Sequence, residues 1–302
     1  MPALTDRLAL TPLALQGYRR RWVNTSVGAV HVLEAAGKGK LPPLVLLHGF
    51  SSAGVHFLPM LHRLRPRVER LILPDSLAHG FSATPERIAA ATLKQGLIEA
   101  LDAVIDRPAL VFGNSMGGVG AIHYARLRPE RVAGLILCSP TGAAMTADEI
   151  TRFLRTFDVN SHREALAFFD RVLSRRSPLR QIVALELRRK FRRPELRALL
   201  DSMSPEDFFE PGELEGLKPP VLLIWGQDER ILPPEHLAFF RAHLPPQTQV
   251  LTPAGFGHSP YLEAPGTLAE MILRFAREVS PGAPRARGGR AESDRVPSVT
   301  TA

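Results

Sequence analysis

The stretch ALVFGNSMGG, residues 109–118, decides how this chain folds. A short apolar run meets a serine, Ser115, with Gly113 two residues before it, Gly117 two after, and Gly118 beyond. Small, helix-compatible residues follow in VGAIHYARL, 119–127. The pattern is G-x-S-x-G between a strand and a helix. In so sharp a turn the serine takes strained backbone angles and its side chain stands clear of the sheet. The positions two before and two after approach the neighbouring backbone too closely to carry a Cβ. A helix starting at once also puts its positive end beside the hydroxyl. An ordinary glycine turn is the plainer reading; the strand–turn–helix setting favours a turn that presents a nucleophile.

Outward from this point, strands alternate with helices. RRWVNTS (20–26) and AVHVLEA (29–35) read as two strands joined near Gly28. PLVLLHG (43–49), ERLILPD (69–75) and VAGLILCS (132–139) are continuously apolar, as strands covered on both faces are. FLPMLHRL (57–64) reads as a helix, and residues 85–106, PERIAAATLKQGLIEALDAVID, have apolar residues at helical spacing. After Pro140 the rhythm breaks. Residues 146–216 are helical and arginine-rich with no strand; then VLLIWG (221–226) and TQVLTPA (248–254) read as strands, and 233–244 and 267–279 as helices. The expected architecture is α/β, with a mainly parallel sheet flanked by helices and an all-helical insertion. The expected organisation is an N-terminal extension (1–18), a core (19–145 and 217–280), the insertion (146–216) and a disordered tail (281–302) rich in Pro, Gly, Ser and charge.

Composition narrows the function. The net charge of +8 invites a nucleic-acid reading. No basic stripe interleaved with aromatics, zinc-finger spacing or RNA-binding signature supports it. The one cysteine, Cys138, leaves no internal disulfide and reads as a buried thiol at a strand end. GKGK (37–40) lacks the Ser or Thr of a phosphate-binding loop. No metal-ligand spacing and no cofactor motif occurs, and no apolar run approaches the roughly 20 residues that cross a bilayer. The N-terminus lacks a basic start followed by a clean apolar block, so a cytoplasmic location is the default expectation. The expected partner is a small-molecule substrate, a hydrophobic ester; oligomeric state is left open.

Four features together resemble the α/β-hydrolase superfamily, over roughly residues 20–280. They are His48-Gly49-Phe50 after an early strand; PDSLAHGFS (74–82), with Ala78 where a glycine is common; the serine turn; and WGQDERILP (225–233) with GFGHSP (255–260). The resemblance implies that Ser115 is the nucleophile, which needs a base to take its proton. Ten histidines compete for that role. His258 follows the last strand, lies among small residues and stands in the family's order of nucleophile, acid, histidine. His48 would shape its loop, and His123 would pack on the helix after the turn. The family's W-G-x-x-D motif would place the acid after the seventh strand. Here Glu229 occupies that position and Asp228 stands one residue early, so Glu229 is the expected acid and Asp228 the alternative. The backbone N–H groups of Phe50 and Met116 are the implied oxyanion donors.

The implied reaction is hydrolysis of a carboxylic ester or thioester through an acyl-enzyme. A serine nucleophile argues against relatives that use aspartate, such as haloalkane dehalogenases. GNSMGG also resembles hydrolases that cleave carbon–carbon bonds in ring-fission products. Those usually carry a tryptophan after the catalytic histidine, where this chain has Ser259. A noncatalytic binding protein on the same fold is the third reading. The insertion would act as a cap. Its Phe153, Phe157, Phe168 and Phe169 either line an acyl pocket or hold the cap together. Its Arg188, Arg189, Arg192 and Arg193 either meet an anionic substrate or form a solvated face.

Overall fold

In the computed structural model, which describes residues 4–280, the strands form one eight-stranded sheet. β1 (Arg19–Thr25), β2 (Gly28–Ala36), β3 (Leu44–Leu47), β4 (Arg70–Pro74), β5 (Ala109–Ser115), β6 (Val132–Pro140), β7 (Val221–Ile224) and β8 (Gln249–Leu251) stand in the order β1-β2-β4-β3-β5-β6-β7-β8. β1 and β2 form an antiparallel hairpin, and β2 meets β4 antiparallel. From β4 to β8 all neighbours run parallel. The tail expected at 281–302 lies outside the described residues.

The helices follow the sheet's need for cover on both faces. They are α1 (Leu4–Leu15), α2 (Leu58–Leu64), α3 (Ala90–Val104), α4 (Met116–Leu127), α5 (Ala147–Leu154), α6 (His162–Val172), α7 (Arg180–Phe191), α8 (Pro194–Asp201), α9 (Pro234–His243), α10 (Pro260–Glu263) and α11 (Pro265–Glu278). Successive strand residues point to opposite faces. Val45, Leu47, Val111, Leu135 and Leu223 accordingly join a cluster with Leu97 and Leu101 of α3 and Ile122 of α4. Leu44, Leu46, Phe112, Ile136 and Leu222 join another with Met60 and Leu64 of α2 and Ile272 of α11. Each fully buried aliphatic side chain contributes on the order of 1.5–3 kcal/mol. That explains why these strands read as unbroken apolar runs.

Two local readings differ from the structure. Helix α3 starts at Ala90, although the periodic pattern begins at Pro85. Ile88 packs against the core and Ala89 is extended, so a tertiary contact overrides local propensity there. At the N-terminus, residues expected only as an extension form helix α1. It buries Leu13 fully, and its Asp6 carboxylate lies 2.9 Å from His56 Nε2 and 3.5 Å from Lys190 of α7. Helices α5 to α8 lie between β6 and β7. Capping boxes at Thr146/Glu149 and Ser161/Glu164 start α5 and α6 by satisfying backbone N–H groups that a helix start leaves unpaired.

Because β3 and β5 to β8 are parallel, their following loops gather at one edge of the sheet. The loops after β7 and β8 are laced together. Gln227 N–H donates to Pro253 O at 3.1 Å and Asp228 N–H to Phe256 O at 3.0 Å. Gly226 makes this approach possible, since a Cβ there would lie 2.0 Å from Phe256 O. Gly226→Ala is expected to destabilise the fold by about 1–3 kcal/mol. Thermal unfolding checks this, and an unchanged melting temperature would contradict the packing described.

Candidate active site

Ser115 ends β5 and precedes α4 with φ 54° and ψ −122°, a conformation that few non-glycine residues adopt. Its neighbours impose it. A Cβ at Gly113 would lie 2.3 Å from Gly117 O, and one at Gly117 would lie 2.2 Å from Leu47 O at the end of β3. Gly118 faces Pro140, where a Cβ would meet Pro140 Cβ at 2.7 Å. Each glycine of the motif thus admits a backbone that an alanine would push away. Met116 opens α4, so its N–H is one of the helix-start donors with no partner inside the helix.

The His48-Gly49-Phe50 turn follows β3 and lies against the serine; a Cβ on Gly49 would be 3.1 Å from Ser115 Cβ. The His48 ring is fully buried, and its two nitrogens have different tasks. Nε2 accepts the Ser76 N–H at 3.0 Å, which leaves Nδ1 to donate to Gly49 O at 2.8 Å. Burial pushes its pKa below the usual value, consistent with a neutral ring that holds the turn. The Phe50 ring lines the cavity described below and also packs on Phe157 and Phe191, at centroid distances of 5.4 and 5.9 Å.

His258 follows β8. Its Nδ1 lies 2.8 Å from Glu229 Oε2. The other Glu229 oxygen accepts the N–H groups of Ile231 and Leu232, at 2.8 and 3.1 Å. Burial alone would raise the pKa of Glu229. The charge and hydrogen bond of His258 and the two N–H donors outweigh it, and the pKa falls from 4.5 to about 2. Asp228 faces elsewhere: its carboxylate accepts the Gly255 N–H at 3.0 Å and braces the loop. The chain's extra methylene at Glu229 therefore reaches the imidazole, while the neighbouring aspartate secures the backbone.

One connection escaped the motif reading. Asn114, the residue before the serine, is buried, and its Nδ2 donates to His258 O at 2.9 Å and to Cys138 O at 3.0 Å. The serine turn thereby holds the histidine's own backbone. A buried asparagine inside G-x-S-x-G is the only sequence trace of this contact. Cys138 lies buried beneath it, and burial pushes its thiol pKa well up, leaving it protonated.

A cavity of about 480 Å³ opens beside Ser115 and runs along α4. Near the serine it is walled by Phe50, Val119, Phe153 and Phe157. Lys94, His123, Arg126 and Glu213 stand along its wall as well, and Arg126 pairs with Glu213 at 2.6 Å. Burial and the charges of Lys94 and Arg126 bring His123 down to about 4, so it is neutral at pH 7. Of the four phenylalanines singled out in the insertion, Phe153 and Phe157 line the cavity; Phe168 instead packs on Phe157 and Phe191, and Phe169 is buried off the cavity. Arg188, Arg189, Arg192 and Arg193 do not line it. Arg193 donates to Ala78 O at 3.1 Å, and Ala78 has φ 62°, which accounts for the glycine common at that position. Among the described residues, no group of three or more His, Cys, Asp or Glu could hold a metal ion, and no helix is long and apolar enough to cross a membrane.

The Glu229 pKa sets a pH dependence. The group is depressed in the folded chain, so its contribution to stability is present above about pH 4.5 and is lost as pH falls towards 2. Glu229→Gln is expected to flatten the loss of stability in that window. Denaturant titrations at pH 6, 4 and 3, on the order of these folded and unfolded pKa values, check this; parallel curves for both proteins would refute it.

Comparison with known proteins agrees with this architecture. Residues 44–271 match the model of the alpha/beta hydrolase family. A pimeloyl-[acyl-carrier protein] methyl ester esterase from Xanthomonas axonopodis pv. citri is 33% identical over 270 residues, covering 82% of this chain and 99% of that protein. One from Xylella fastidiosa is 29% identical over 259 residues, covering 80% and 97%. Among solved structures, a bacterial membrane phospholipase A superposes with a TM-score of 0.78 at 23% identity, covering 91% of this chain and 92% of that one. A 2-hydroxy-6-oxo-6-phenylhexa-2,4-dienoate hydrolase from Rhodococcus superposes with a TM-score of 0.75 at 21% identity, covering 86% and 99%. At that identity the two structures speak for the fold alone. With three quarters of its length matched by the family model, and with the sheet order and serine turn described above, the chain belongs to the alpha/beta hydrolase family.

Proposed function

We propose that the chain hydrolyses a carboxylic ester through an acyl-enzyme, with Ser115 as nucleophile, His258 as base and Glu229 as the acid that orients it. The observation that carries this reading is the 2.8 Å contact between His258 Nδ1 and Glu229 Oε2. With Nδ1–H held by the carboxylate, Nε2 carries the free lone pair that can take the Ser115 proton. The serine oxygen then attacks the ester carbonyl, and the carbonyl oxygen becomes an anion. The N–H groups of Met116 and Phe50 receive that charge; such a fixed donor is typically worth about 3–4 kcal/mol in the transition state. His258 returns the proton to the leaving alkoxide, and water attacks the acyl-serine by the same route.

The proposed substrate is a methyl ester on an acyl chain tethered to a carrier protein. Two relatives bear names that describe this chemistry. The cavity supports it. From Ser115 to Arg126 along α4 is about 16 Å at 1.5 Å per residue. Its apolar lining, with Phe50, Val119, Phe153, Phe157 and Phe209, suits methylenes, and Lys94, Arg126 and Glu213 in the same wall offer partners for a polar arm. Residues 146–216 are the proposed cap, contributing Phe153 and Phe157 to the roof.

Ser115→Ala is expected to abolish ester turnover and labelling by a fluorophosphonate. Glu229→Gln is expected to lower kcat by roughly 10⁴-fold, and Asp228→Asn by far less; the reverse order would move the acid to Asp228. The parent enzyme is expected to release methanol from a carrier-bound dicarboxylate monomethyl ester, leaving the carrier thioester intact. Its kcat/KM should exceed that for the same monomethyl ester as a free acid by at least about tenfold, or 1.4 kcal/mol. Cleavage of the thioester instead, seen by mass spectrometry of the carrier, would overturn the methyl-ester reading.

A further inference from the structure

Helix α6 ends at Val172, and Leu173 leaves in an extended conformation (φ −110°, ψ 150°). The last carbonyls of a helix have no partner within it. Here the carbonyls at and just past its end take their donors from the loops that bear His258 and Glu229. Val172 O accepts the His258 N–H at 2.8 Å and the Ser259 N–H at 3.3 Å. Leu173 O accepts from the Arg230 guanidinium, next to Glu229. Gly257 allows the approach, since a Cβ there would lie 2.7 Å from Val172 O.

A single carboxylate closes this arrangement. Glu263, at the end of α10, accepts the Gly257 N–H with Oε1 at 2.6 Å. Its Oε2 accepts the Ser174 N–H at 2.6 Å and the Ser174 hydroxyl at 2.7 Å. One arm therefore grips the residue before His258, and the other grips the chain leaving α6. All three partners are donors. An amide at this position would turn its NH₂ towards one of them, losing a bond and leaving a donor facing a donor.

We propose that Glu263 is a positioning residue for His258, clamping the loop 257–259 onto residues 172–174 so that the placement of the inserted helices sets the placement of the base. The proposal rests on the reading of His258 as base. Asn114 holds the histidine's carbonyl from the serine side. Val172 and Glu263 fix its amide and the preceding peptide from the side of the insertion. Releasing Glu263 frees the imidazole to drift relative to Ser115 without touching the cavity wall. A displacement of about 1 Å is enough to cost on the order of 10²-fold in rate.

The test compares the full-length parent with Glu263→Gln, Ser174→Ala, the double variant and His258→Ala, all below their melting temperatures. Glu263→Gln is expected to lower kcat by about 10- to 100-fold. KM should stay within about twofold, since the substrate pocket is untouched, and the rate of fluorophosphonate labelling should fall in parallel with kcat. The double variant should be no slower than Glu263→Gln by more than about twofold, because both changes break one clamp. Parent-like kcat in Glu263→Gln, or a loss fully explained by its unfolded fraction, overturns the clamp. If Glu263→Gln does not fold, Ser174→Ala decides: a drop of about threefold in kcat at constant KM supports the clamp, and parent-like kcat overturns it. Turnover retained by His258→Ala overturns the assignment of the base and the clamp with it. Its loss alongside a parent-like Glu263→Gln overturns the clamp alone.

Discussion

The closeness of α4 to the sheet is the constraint on which the rest of the site depends. Gly117 lies so near the end of β3 that a methyl group would meet Leu47 O at 2.2 Å, and Gly113 lies as near to Gly117. This proximity forces Ser115 to φ 54° and stands its side chain at the edge where the parallel strands end. A non-glycine residue held in so sparsely populated a conformation costs on the order of 1–3 kcal/mol. The surrounding core, with Leu47, Val111 and Ile122 buried around the turn, holds it in place.

Around that fixed point the remaining groups are attached by backbone contacts. His48 uses both ring nitrogens to hold the turn that carries Phe50. Asn114 takes the carbonyl of His258, and Asp228 braces the loop from which Glu229 reaches the imidazole. Two adjacent acidic residues thus have different work. The shorter one ties backbone to backbone, and the longer one spans the gap to the ring.

The insertion does more than line the cavity. Its phenylalanines divide between the cavity and its own interior: Phe153 and Phe157 face the cavity, and Phe168 and Phe191 stack behind. Of its arginines, Arg193 ties the insertion to Ala78, while Arg189 and Arg192 are exposed. At the end of α6 the Val172 carbonyl accepts from the loop that carries His258, so the inserted helices, two of whose phenylalanines line the cavity, also touch that loop.

Much of this was legible in the amino-acid order. Strand runs such as LVLL and VLLI are apolar at every position because both faces of each strand are buried, and burial on two faces leaves no alternation to misread. The glycines around Ser115 mark steric contacts that any chain making this turn must relieve, so the motif carries its own geometry. What the order of residues could not contain is where separate loops meet. Between Asp228 and Glu229 the choice depends on how far β8 brings His258, a distance set by packing more than 25 residues away. The bonds from Asn114 to His258 O and from Glu263 to Ser174 join residues 144 and 89 positions apart. Only the tertiary structure decided them, because a side chain's hydrogen-bond partner is fixed by where the folded backbone brings a matching donor or acceptor, and local sequence pattern holds no record of that.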